Sequence, residues 1–374
     1  MTKSSSNPTV NNTISDPKYK DFYISLYGEE EYNALKTLTD ESQKPKTRKK
    51  SNKTVFLLHG ITGASLGDPN QLLDPFDIIW IGPTRIIGGD LKHLNYPDTE
   101  KKPIVTHGFL PFGYNRFCST LRKQFNIIEH AYDWRKPLEQ LGLEFSKILE
   151  ACPDKDITVV AHSMGGLVMR AALDNKVRKF PNLKRVITLG TPHHGSFAPV
   201  QAIRGTNKLV RKMARLIPGQ TAEDIARDAL GTMPGFYDLL PFFGAEHLYD
   251  ANSWPTSGPQ PNQMLLDQAQ AYHKKIADID DRFSVIIGGG RETIVGAELS
   301  QSTDQFEFSF SNHGDGTVPF NHAHPDNLVS GQVYYTDAEH GAMQGNKKVL
   351  KAIIDLVNDK PVTCLLYTSP SPRD

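Results

Sequence analysis

Ser163, Asp315 and His340 are the residues of this chain whose types and order suit nucleophilic chemistry on a carbonyl carbon. A serine hydroxyl is a weak nucleophile unless a histidine accepts its proton and a carboxylate orients that histidine. Where such a serine lies on a strand-to-helix turn, the acid and then the histidine follow it along the chain, as they do here. The three residues therefore predict acyl transfer through a covalent acyl-serine.

The segment "TVVAHSMGGLVMRAAL", residues 158–173, predicts the turn that would carry the serine. An apolar strand ends at a histidine, small residues surround Ser163, and a helix follows. Ala161 stands where glycine is usual and, like Gly165, is small enough for the crowded turn. The helix directs its N-terminus, which favours negative charge, towards the serine. A serine that only caps an ordinary helix is the alternative interpretation.

The predicted acid and base lie in separate loops. Asp315 lies between two glycines in "SNHGDGTVPFNHAH", and His340 follows the last predicted strand in "YYTDAEHGAM". A single aspartate in such a loop usually shapes a turn and a single histidine is usually structural, so their order after the serine carries the prediction. Glu339 is the fallback acid, because Asp281 precedes its strand and Asp337 is expected to shape the loop. The alternative bases are His313 and His322.

A negatively charged tetrahedral intermediate needs two backbone donors. The N–H of Met164, directly after the serine, is the predicted first donor. The predicted second donor is the N–H of Ile61 in "LLHGITGASLG", where two glycines allow the backbone to approach the serine. The loop "THGFLPFGY" (106–114) is the rival source of that donor. Its other predicted role is to line an acyl pocket with Phe109 and Phe112.

Seven apolar segments are predicted strands, separated by segments with apolar residues at helical spacing. Their high valine and isoleucine content is typical of strands that are covered on both faces. The alternation of strands and helices predicts the α/β class, with a mostly parallel central sheet and helices on both faces. The predicted strands are residues 54–60, 103–109, 125–132, 156–163, 183–192, 283–290 and 332–340.

The chain divides into one main domain with an extension and insertions. Residues 1–50 predict a disordered or helical N-terminal extension, and residues 51–360 predict the α/β domain. Two segments, about 65–95 and 197–280, interrupt the alternation and are predicted to form a cap above the sheet. Their apolar side chains either face a substrate or pack internally. Residues 364–374 resemble a translated sequencing adapter, so we expect this segment not to belong to the natural chain.

Lysine and arginine together number 42, as do aspartate and glutamate, so the formal net charge is zero. This balance argues against a nucleic-acid partner, and any lipid contact is expected to be local and apolar. The basic run 44–53 is interpreted as a solvated linker. The three cysteines lack metal-ligand spacing, so neither a disulfide framework, a metal site nor a cofactor is predicted. No export or membrane-spanning segment is visible, and the default expectation is a cytoplasmic protein.

Seven motifs together resemble the lecithin:cholesterol acyltransferase-like branch of the α/β-hydrolases, over about residues 54–358. The serine motif and "TPHHGS" each occur in many lipases, but the combination is more specific. The resemblance implies an α/β-hydrolase fold with an inserted cap, in which Ser163 takes an acyl group from a lipid ester and water or an alcohol releases it. The motifs are "FLLHGITGASL", "YDWRKPLE", "VVAHSMGGLVMRAAL", "ITLGTPHHGS", "MPGFYDLLP", "GDGTVP" and "EHGAM".

Such an enzyme would have a lipid or other acyl-ester substrate and, transiently, a membrane or micelle surface as partners. Two alternatives are an esterase that deacylates inositol glycolipids or proteins and a catalytically silent lipid-binding relative. Trp134 and Arg135 follow a predicted strand near the site, where both are candidates for substrate binding. Arg135 either binds a substrate head group or pairs with an acidic neighbour, and the second is favoured. His193 and His194 are expected to shape the site floor rather than to bind zinc.

Overall fold

The computed structural model describes residue 14 and residues 16–42, 51–69, 78–98, 103–174, 179–328 and 331–366. Its strands are β1 (Thr54–Leu58), β2 (Ala64–Gly67), β3 (Ile78–Trp80), β4 (Val105–Phe109), β5 (Asn126–His130), β6 (Ile157–His162), β7 (Leu183–Leu189), β8 (Phe283–Gly288), β9 (Thr293–Ser300), β10 (Gln305–Ser311) and β11 (Val333–Thr336). Its α-helices are α1 (Lys20–Tyr27), α2 (Glu29–Ser42), α3 (Pro83–Ile87), α4 (Pro111–Leu121), α5 (Leu138–Ala151), α6 (Met164–Leu173), α7 (Ala198–Ile203), α8 (Lys208–Leu216), α9 (Ala222–Asp228), α10 (Pro234–Tyr237), α11 (Gln263–His273), α12 (Phe320–Ala323) and α13 (Lys347–Val357). Short 3-10 helices span Pro17–Tyr19, Asp90–Leu94, Leu230–Thr232, Glu246–Tyr249, Ala251–Ser253 and His340–Gly345.

Six strands form a parallel sheet in the order β11-β8-β7-β6-β1-β5. Successive side chains of β1 enter two different cores, Phe56 and Leu58 on one face and Val55 and Leu57 on the other. Helices α5 and α6 cover the first face, whereas α4 and α13 cover the second. Because both faces are covered, β1 and β6 are buried along their whole length. The predicted α/β-hydrolase architecture is confirmed.

The predicted strand 103–109 is present as β4 (Val105–Phe109), but the prediction that this strand joins the central sheet is wrong. β4 pairs with β2 in a separate three-stranded antiparallel sheet of order β3-β2-β4. Its first four residues are only half-buried, whereas every residue of β1 is buried. Short apolar segments do not reveal which sheet a strand joins, and this explains the error. The antiparallel hairpin of β9 and β10 was not predicted either.

The segment between β7 and β8 is the longest interruption of the sheet and coincides with the predicted insertion at 197–280. It contains helices α7 to α11. The first predicted insertion, 65–95, contributes β2, β3 and α3. Helix α1 of the N-terminal extension packs on the longer insertion, where Lys212 Nζ donates to Leu26 O at 3.1 Å. The extension is therefore joined to the part of the molecule that covers the sheet.

Several predictions fall partly outside the described residues. The N-terminal extension is helical over α1 and α2, whereas residues 1–13, 15 and 43–50 are not described. The suspected adapter segment is described only to Leu366, whose backbone pairs with Tyr335 of β11 at 2.9 and 3.1 Å. Among the residues that are described, no helix combines the length and apolar character needed to cross a bilayer.

Candidate active site

The turn between β6 and α6 holds Ser163 in a strained backbone conformation, with φ 55° and ψ −124°. Residues other than glycine rarely adopt positive φ, so surrounding contacts must maintain it. The Ser163 N–H donates to Leu189 O of β7 at 2.9 Å. A Cβ at Gly165 would lie 2.8 Å from His59 O, so this position has no room for a side chain. Ala161, on the other side of the serine, is fully buried.

The structure brings together the predicted serine, histidine and acid. His340 Nε2 lies 3.0 Å from Ser163 Oγ, and His340 Nδ1 lies 2.7 Å from Asp315 Oδ2. Asp315 Oδ1 accepts hydrogen bonds from the backbone N–H groups of Thr317 and Val318 at 3.0 and 2.8 Å. Only 1% of the Asp315 side chain is exposed, so solvent does not compete for its contact with the histidine.

Two glycines make room for the aspartate and the histidine. Gly190, directly after β7, has φ 54°, and a Cβ there would lie 2.9 Å from Asp315 Oδ2 and 3.2 Å from His340 Nδ1. Gly288, at the end of β8, is crowded in the same way, because a Cβ would lie 2.6 Å from Asp315 Cβ. The ends of two neighbouring strands are therefore shaped by the packing of this pair.

The alternative acid and bases occupy different positions. His340 Nδ1 contacts Asp315, whereas the side chain of the fallback acid Glu339 is exposed. The alternative base His322 is buried and its Nδ1 lies 3.1 Å from a backbone carbonyl. His313 is exposed. Of the histidines weighed from the sequence, His340 is the one in contact with the serine hydroxyl.

The loop after β1 lies against the serine, where the second backbone donor was predicted. A Cβ at Gly60 would lie 2.9 Å from Ser163 Cβ and 3.3 Å from Ser163 Oγ, so the loop backbone closely approaches the hydroxyl. Neither the Ile61 N–H nor the Met164 N–H has a hydrogen-bond partner among the described residues. Both are available to an oxygen that gains charge beside the serine. The rival loop supports this one, since Leu110 N donates to Gly63 O at 2.9 Å.

A cavity of about 370 Å³ opens beside Ser163 and His340. Aromatic and aliphatic side chains from the N-terminal extension, both insertions and α4 line much of it. Tyr27 of α1 stacks on Phe112, with ring centroids 3.8 Å apart and ring planes 12° apart. No motif in the extension marks Tyr27, so sequence reasoning missed it. The apolar lining includes Tyr27, Trp80, Phe112, Val210, Met213 and Leu239.

Two aromatic residues predicted to bind substrate face the core instead. Phe109 packs in the core that α4 covers, with its ring centroid 5.3 Å from that of Tyr114. Trp134 is fully buried, and its Nε1 donates to Ala64 O at 3.0 Å. Neither is among the described residues that line the cavity. These two predictions are wrong, because the rings fill interior space rather than the site.

The structure contradicts the less favoured interpretation of Arg135, as a residue that binds a substrate head group. Its side chain is fully buried, and it donates to Asp133 Oδ2 at 2.7 Å and to Asp98 Oδ1 at 2.9 Å. Burial of a guanidinium is tolerated only when such carboxylates pair with it. Pairing with acidic neighbours, the interpretation favoured from the sequence, is the arrangement that the structure shows.

Polar side chains that sequence reasoning did not single out surround the serine turn. His59, Tyr114 and His162 are buried, and burial lowers the pKa of His59 and of His162 to about 3. Both histidines are therefore neutral over the physiological range. The signal in the sequence was position, because His59 directly follows β1, before the Ile61 loop, and His162 directly precedes Ser163.

The adjacent histidines of "TPHHGS" have different side-chain partners. His193 is fully buried, burial lowers its pKa, and its Nε2 lies 3.5 Å from Thr188 Oγ1. His194 Nε2 lies 3.4 Å from Asp326 Oδ1. Within the described ranges, no group of three or more His, Cys, Asp or Glu side chains could hold a metal ion.

One protein family and several solved structures are similar to this chain. A family model for lecithin:cholesterol acyltransferase matches residues 119–319, more than half of the 374 residues. No curated protein matches the chain in sequence. Similar solved structures include the Tle4-Tli4 complex, which is 13% identical with a TM-score of 0.48 and covers 83% of this chain and 99% of that one.

Two further solved structures come from named bacteria. The mature lipase BlEst2 of Bacillus licheniformis is 12% identical, with a TM-score of 0.42 over 84% of this chain and 96% of that one. EstA from Clostridium botulinum is 11% identical, with a TM-score of 0.39 over 96% of this chain and 98% of that one. The family match extends over residues 119–319 and includes Ser163 and Asp315. The chain belongs to the lecithin:cholesterol acyltransferase family.

Proposed function

We propose that this protein is a serine acyl hydrolase or O-acyltransferase that acts on carboxylic esters of lipid-like substrates through Ser163, His340 and Asp315. The observation that carries the proposal is the continuous contact from Ser163 Oγ to His340 Nε2 at 3.0 Å and from His340 Nδ1 to Asp315 Oδ2 at 2.7 Å. Membership of the family supports an acyl hydrolase or acyltransferase in general.

The first half of the proposed reaction forms an acyl-enzyme. His340 Nε2 accepts the hydroxyl proton while Ser163 Oγ attacks the ester carbonyl carbon, and Asp315 stabilises the resulting imidazolium. The carbonyl oxygen becomes an oxyanion, which the N–H groups of Ile61 and Met164 stabilise. When the tetrahedral intermediate collapses, the bond to the leaving oxygen breaks and that oxygen takes the proton from His340. The alcohol part of the ester leaves, and the acyl group stays on the serine.

The second half reverses these steps with a new nucleophile. Water or an alcohol gives its proton to His340 Nε2 and attacks the acyl-serine carbonyl carbon. Collapse of the second intermediate returns the proton to Ser163 Oγ and releases a carboxylic acid or a new ester. Which product forms depends on which acceptor reaches the acyl-enzyme first.

The lining of the cavity supports the proposed substrate class. Trp80, Phe112, Met213 and Leu239 present apolar surface to the space beside the serine. An acyl chain gains free energy by leaving water for such a surface, at about 25 cal/mol for each Å² buried. A charged group of a substrate at this position would lose its hydration, and these four side chains carry no charge that could compensate for the loss. The acyl part of the ester is therefore assigned to this cavity.

The first test replaces the proposed nucleophile. Ser163→Ala is expected to lower the rate of hydrolysis of a short p-nitrophenyl ester by at least about 10⁴-fold and to leave thermal unfolding unchanged. Ser146→Ala is the matched control, because Ser146 is buried in α5, donates only to Leu143 O and lies away from the cavity. Hydrolysis by Ser163→Ala within tenfold of the unsubstituted protein would remove Ser163 from its proposed role.

A second readout separates an enzyme from a lipid-binding protein. A fluorophosphonate probe is expected to label the unsubstituted protein and Ser146→Ala but not Ser163→Ala, because the probe reacts with an activated serine. Absence of labelling in all three would contradict the proposal. Assays of a phospholipid panel with and without a long-chain alcohol, read by mass spectrometry, then distinguish hydrolysis from transfer through the free acid or the new ester.

A further inference from the structure

A chain of buried hydrogen bonds connects the Ile61 loop with the loop that carries His340. The Gly60 N–H donates to Tyr114 Oη at 2.8 Å. Tyr114 Oη lies 2.7 Å from His162 Nδ1, and His162 Nε2 lies 3.0 Å from His340 O. Tyr114 belongs to α4, and His162 is the last residue of β6. Together with the Ile61 loop and the His340 loop, four separate segments therefore meet in one line of contacts.

The donors and acceptors of this chain can be assigned in one consistent way. His340 O is a carbonyl and can only accept, so His162 Nε2 must carry the proton. In the neutral imidazole, Nδ1 is then an acceptor, and Tyr114 donates its hydroxyl proton to it. The tyrosine oxygen in turn accepts from the Gly60 N–H. Burial lowers the pKa of His162 to about 3, which keeps this neutral form at physiological pH.

The peptide group that carries the Ile61 N–H is the next one along the chain from the Gly60 N–H, and it is held through its carbonyl. Its carbonyl, Gly60 O, lies 2.7 Å from His59 Nδ1 and accepts from the Gly63 N–H at 3.0 Å. His59 Nε2 accepts from the Tyr132 N–H at 3.1 Å, so the His59 proton is on Nδ1 and is donated to Gly60 O. In a trans peptide the N–H points opposite to the C=O. Two donors on the carbonyl therefore fix the direction of the Ile61 N–H.

Tyr114 and His162 have no other polar partners among the described contacts, and both are 5% exposed. Because the Tyr114 hydroxyl and both His162 ring nitrogens already have hydrogen-bond partners, neither side chain is free to transfer a proton to a substrate. Removing the Tyr114 hydroxyl would leave both the Gly60 N–H and His162 Nδ1 without their partner. The arrangement therefore suits alignment of other groups rather than direct participation in the chemistry.

We propose that Tyr114 and His162 are positioning residues that hold the Ile61 peptide and the His340 loop in one fixed relation to Ser163. The inference rests on the proposed function, because the alignment matters only if Ile61 N–H binds an oxyanion and His340 acts as base. The pair stabilises the transition state more than the bound substrate, since both aligned groups act most strongly when charge develops.

The test replaces Tyr114 by phenylalanine, which removes one oxygen and keeps the ring. Tyr114→Phe is expected to lower kcat for a short ester about 10- to 100-fold, less than loss of an oxyanion donor itself, with KM changed less than about threefold. The affinity for an alkyl boronic acid, which forms a tetrahedral adduct with the serine, should fall by the same factor as kcat/KM. The affinity for an unreactive ether analogue of the substrate should not change.

Tyr237→Phe is the matched control. Tyr237 is also fully buried, and its hydroxyl also accepts from a backbone N–H, that of Asn262 at 2.9 Å, while it donates to Gly231 O at 2.7 Å. It lies in α10 and is not among the described residues lining the cavity. Both variants lose two buried hydrogen bonds, so both should lose stability, but only Tyr114→Phe should lose kcat. An equal kcat in the two variants would overturn the inference.

A double-mutant cycle tests whether the two residues act as one unit. His162→Gln replaces the imidazole ring with a flexible amide, so it disrupts the line of contacts without leaving an apolar group in its place. Because either single change breaks the same chain, Tyr114→Phe combined with His162→Gln should lower kcat little more than the worse single change. Effects that multiply would contradict the coupling. If the unsubstituted protein lacks Ser163-dependent esterase activity, the proposed function fails. If it has that activity and Tyr114→Phe matches the control, this inference alone fails.

Discussion

The two sides of the cavity are held together by different forces. We call the side formed by the serine turn, the Ile61 loop and the His340 loop the floor, and the side formed by the lining residues Tyr27, Val210, Met213, Leu230, Phe236 and Leu239 the roof. The floor is fixed by directed hydrogen bonds, such as the 2.7 Å contact between His340 and Asp315. The roof faces the cavity with Val210, Met213 and Leu239, whose apolar contacts have no preferred direction.

This difference separates chemistry from substrate choice. A reacting group tolerates little displacement, because proton transfer and oxyanion stabilisation require short, aligned contacts. An apolar wall can change shape while the reacting groups stay in place. Changes in the floor should therefore reduce turnover of every ester, whereas changes in the roof should alter the ranking of esters.

The largest effect is expected from a change that retains the shape of the floor but removes a charge. Asp315→Asn should lower kcat for a short ester about 10⁴-fold, because the amide favours the wrong tautomer of His340 and does not stabilise its charged form. Asp337→Asn is the control, since Asp337 is an exposed acid on the same loop as His340. A kcat for Asp315→Asn within tenfold of the unsubstituted protein would show that this acid is not required.

A change at Gly190, which lies against Asp315 but is not itself a reacting group, tests how tightly the floor is packed. Gly190→Ala places a Cβ 2.9 Å from Asp315 Oδ2 and should lower kcat about 10- to 100-fold by displacing the carboxylate. Gly219→Ala has similar backbone strain, with φ 74°, but its Cβ would meet nothing within 4 Å. It should cost about 1–2 kcal/mol of stability and leave kcat unchanged. Equal kcat values for both variants would show that the crowding is harmless.

A change in the roof should alter selectivity without altering the chemistry. Tyr27→Ala removes the ring that stacks on Phe112, and it should change the kcat/KM ratio of long to short p-nitrophenyl esters about three- to tenfold. Labelling by a fluorophosphonate with a short alkyl chain should change less than twofold. Tyr19→Ala is the control, because Tyr19 contacts Thr84 and is not among the described lining residues. An unchanged ester ranking in Tyr27→Ala would contradict the division into floor and roof.

The smallest expected effect concerns how the roof is attached. Asp238, directly before Leu239, accepts from the Leu138 N–H at 2.7 Å, and burial raises its pKa from 3.8 to about 7. The folded state thus holds a proton that the unfolded state releases, and the free energy of unfolding should fall as pH rises from about 4 to 7. Asp238→Asn removes this titration and retains an acceptor for Leu138.

Thermal unfolding at pH 5 and pH 8 measures this effect. At pH 8 the buried carboxylate of the unsubstituted protein is ionised, so Asp238→Asn should be more stable than the unsubstituted protein. At pH 5 that carboxyl group is protonated, so the gain in stability should be smaller. Asp267→Asn, on the exposed face of α11, is the control and should follow the unsubstituted protein at both values. If the difference between Asp238→Asn and the unsubstituted protein is the same at both pH values, the carboxyl does not titrate in this range.

The residues of the floor could be found from the sequence because local requirements mark them. Ser163 lies in a turn that only small neighbours permit, and Asp315 and His340 follow it in the order that this turn demands. Glycines at positions 60 and 165 mark where backbones come into close contact. Each of these features is a property of a few adjacent residues, so a single sequence reveals it.

The errors have one physical origin. Phe109 was weighed as a pocket residue because it lies in the rival loop, and Trp134 and Arg135 because they follow a predicted strand near the site, but all three side chains are directed into the interior. Tyr27 was missed because its role depends on α1 lying across residues more than 80 positions away, as the contact with Phe112 shows. Side-chain direction depends on which sheet a strand joins, and local composition does not encode that choice.

The sequence by itself determined the class of fold, the serine turn and the order of the proposed reacting residues, since strand patterns and turn requirements act over short distances along the chain. Tertiary structure decided the pairing of His340 with Asp315 rather than with Glu339, the closure of the cavity by Tyr27, and the line from Gly60 through Tyr114 and His162. These contacts join segments far apart in the chain, so they exist only once packing has fixed distance and direction together.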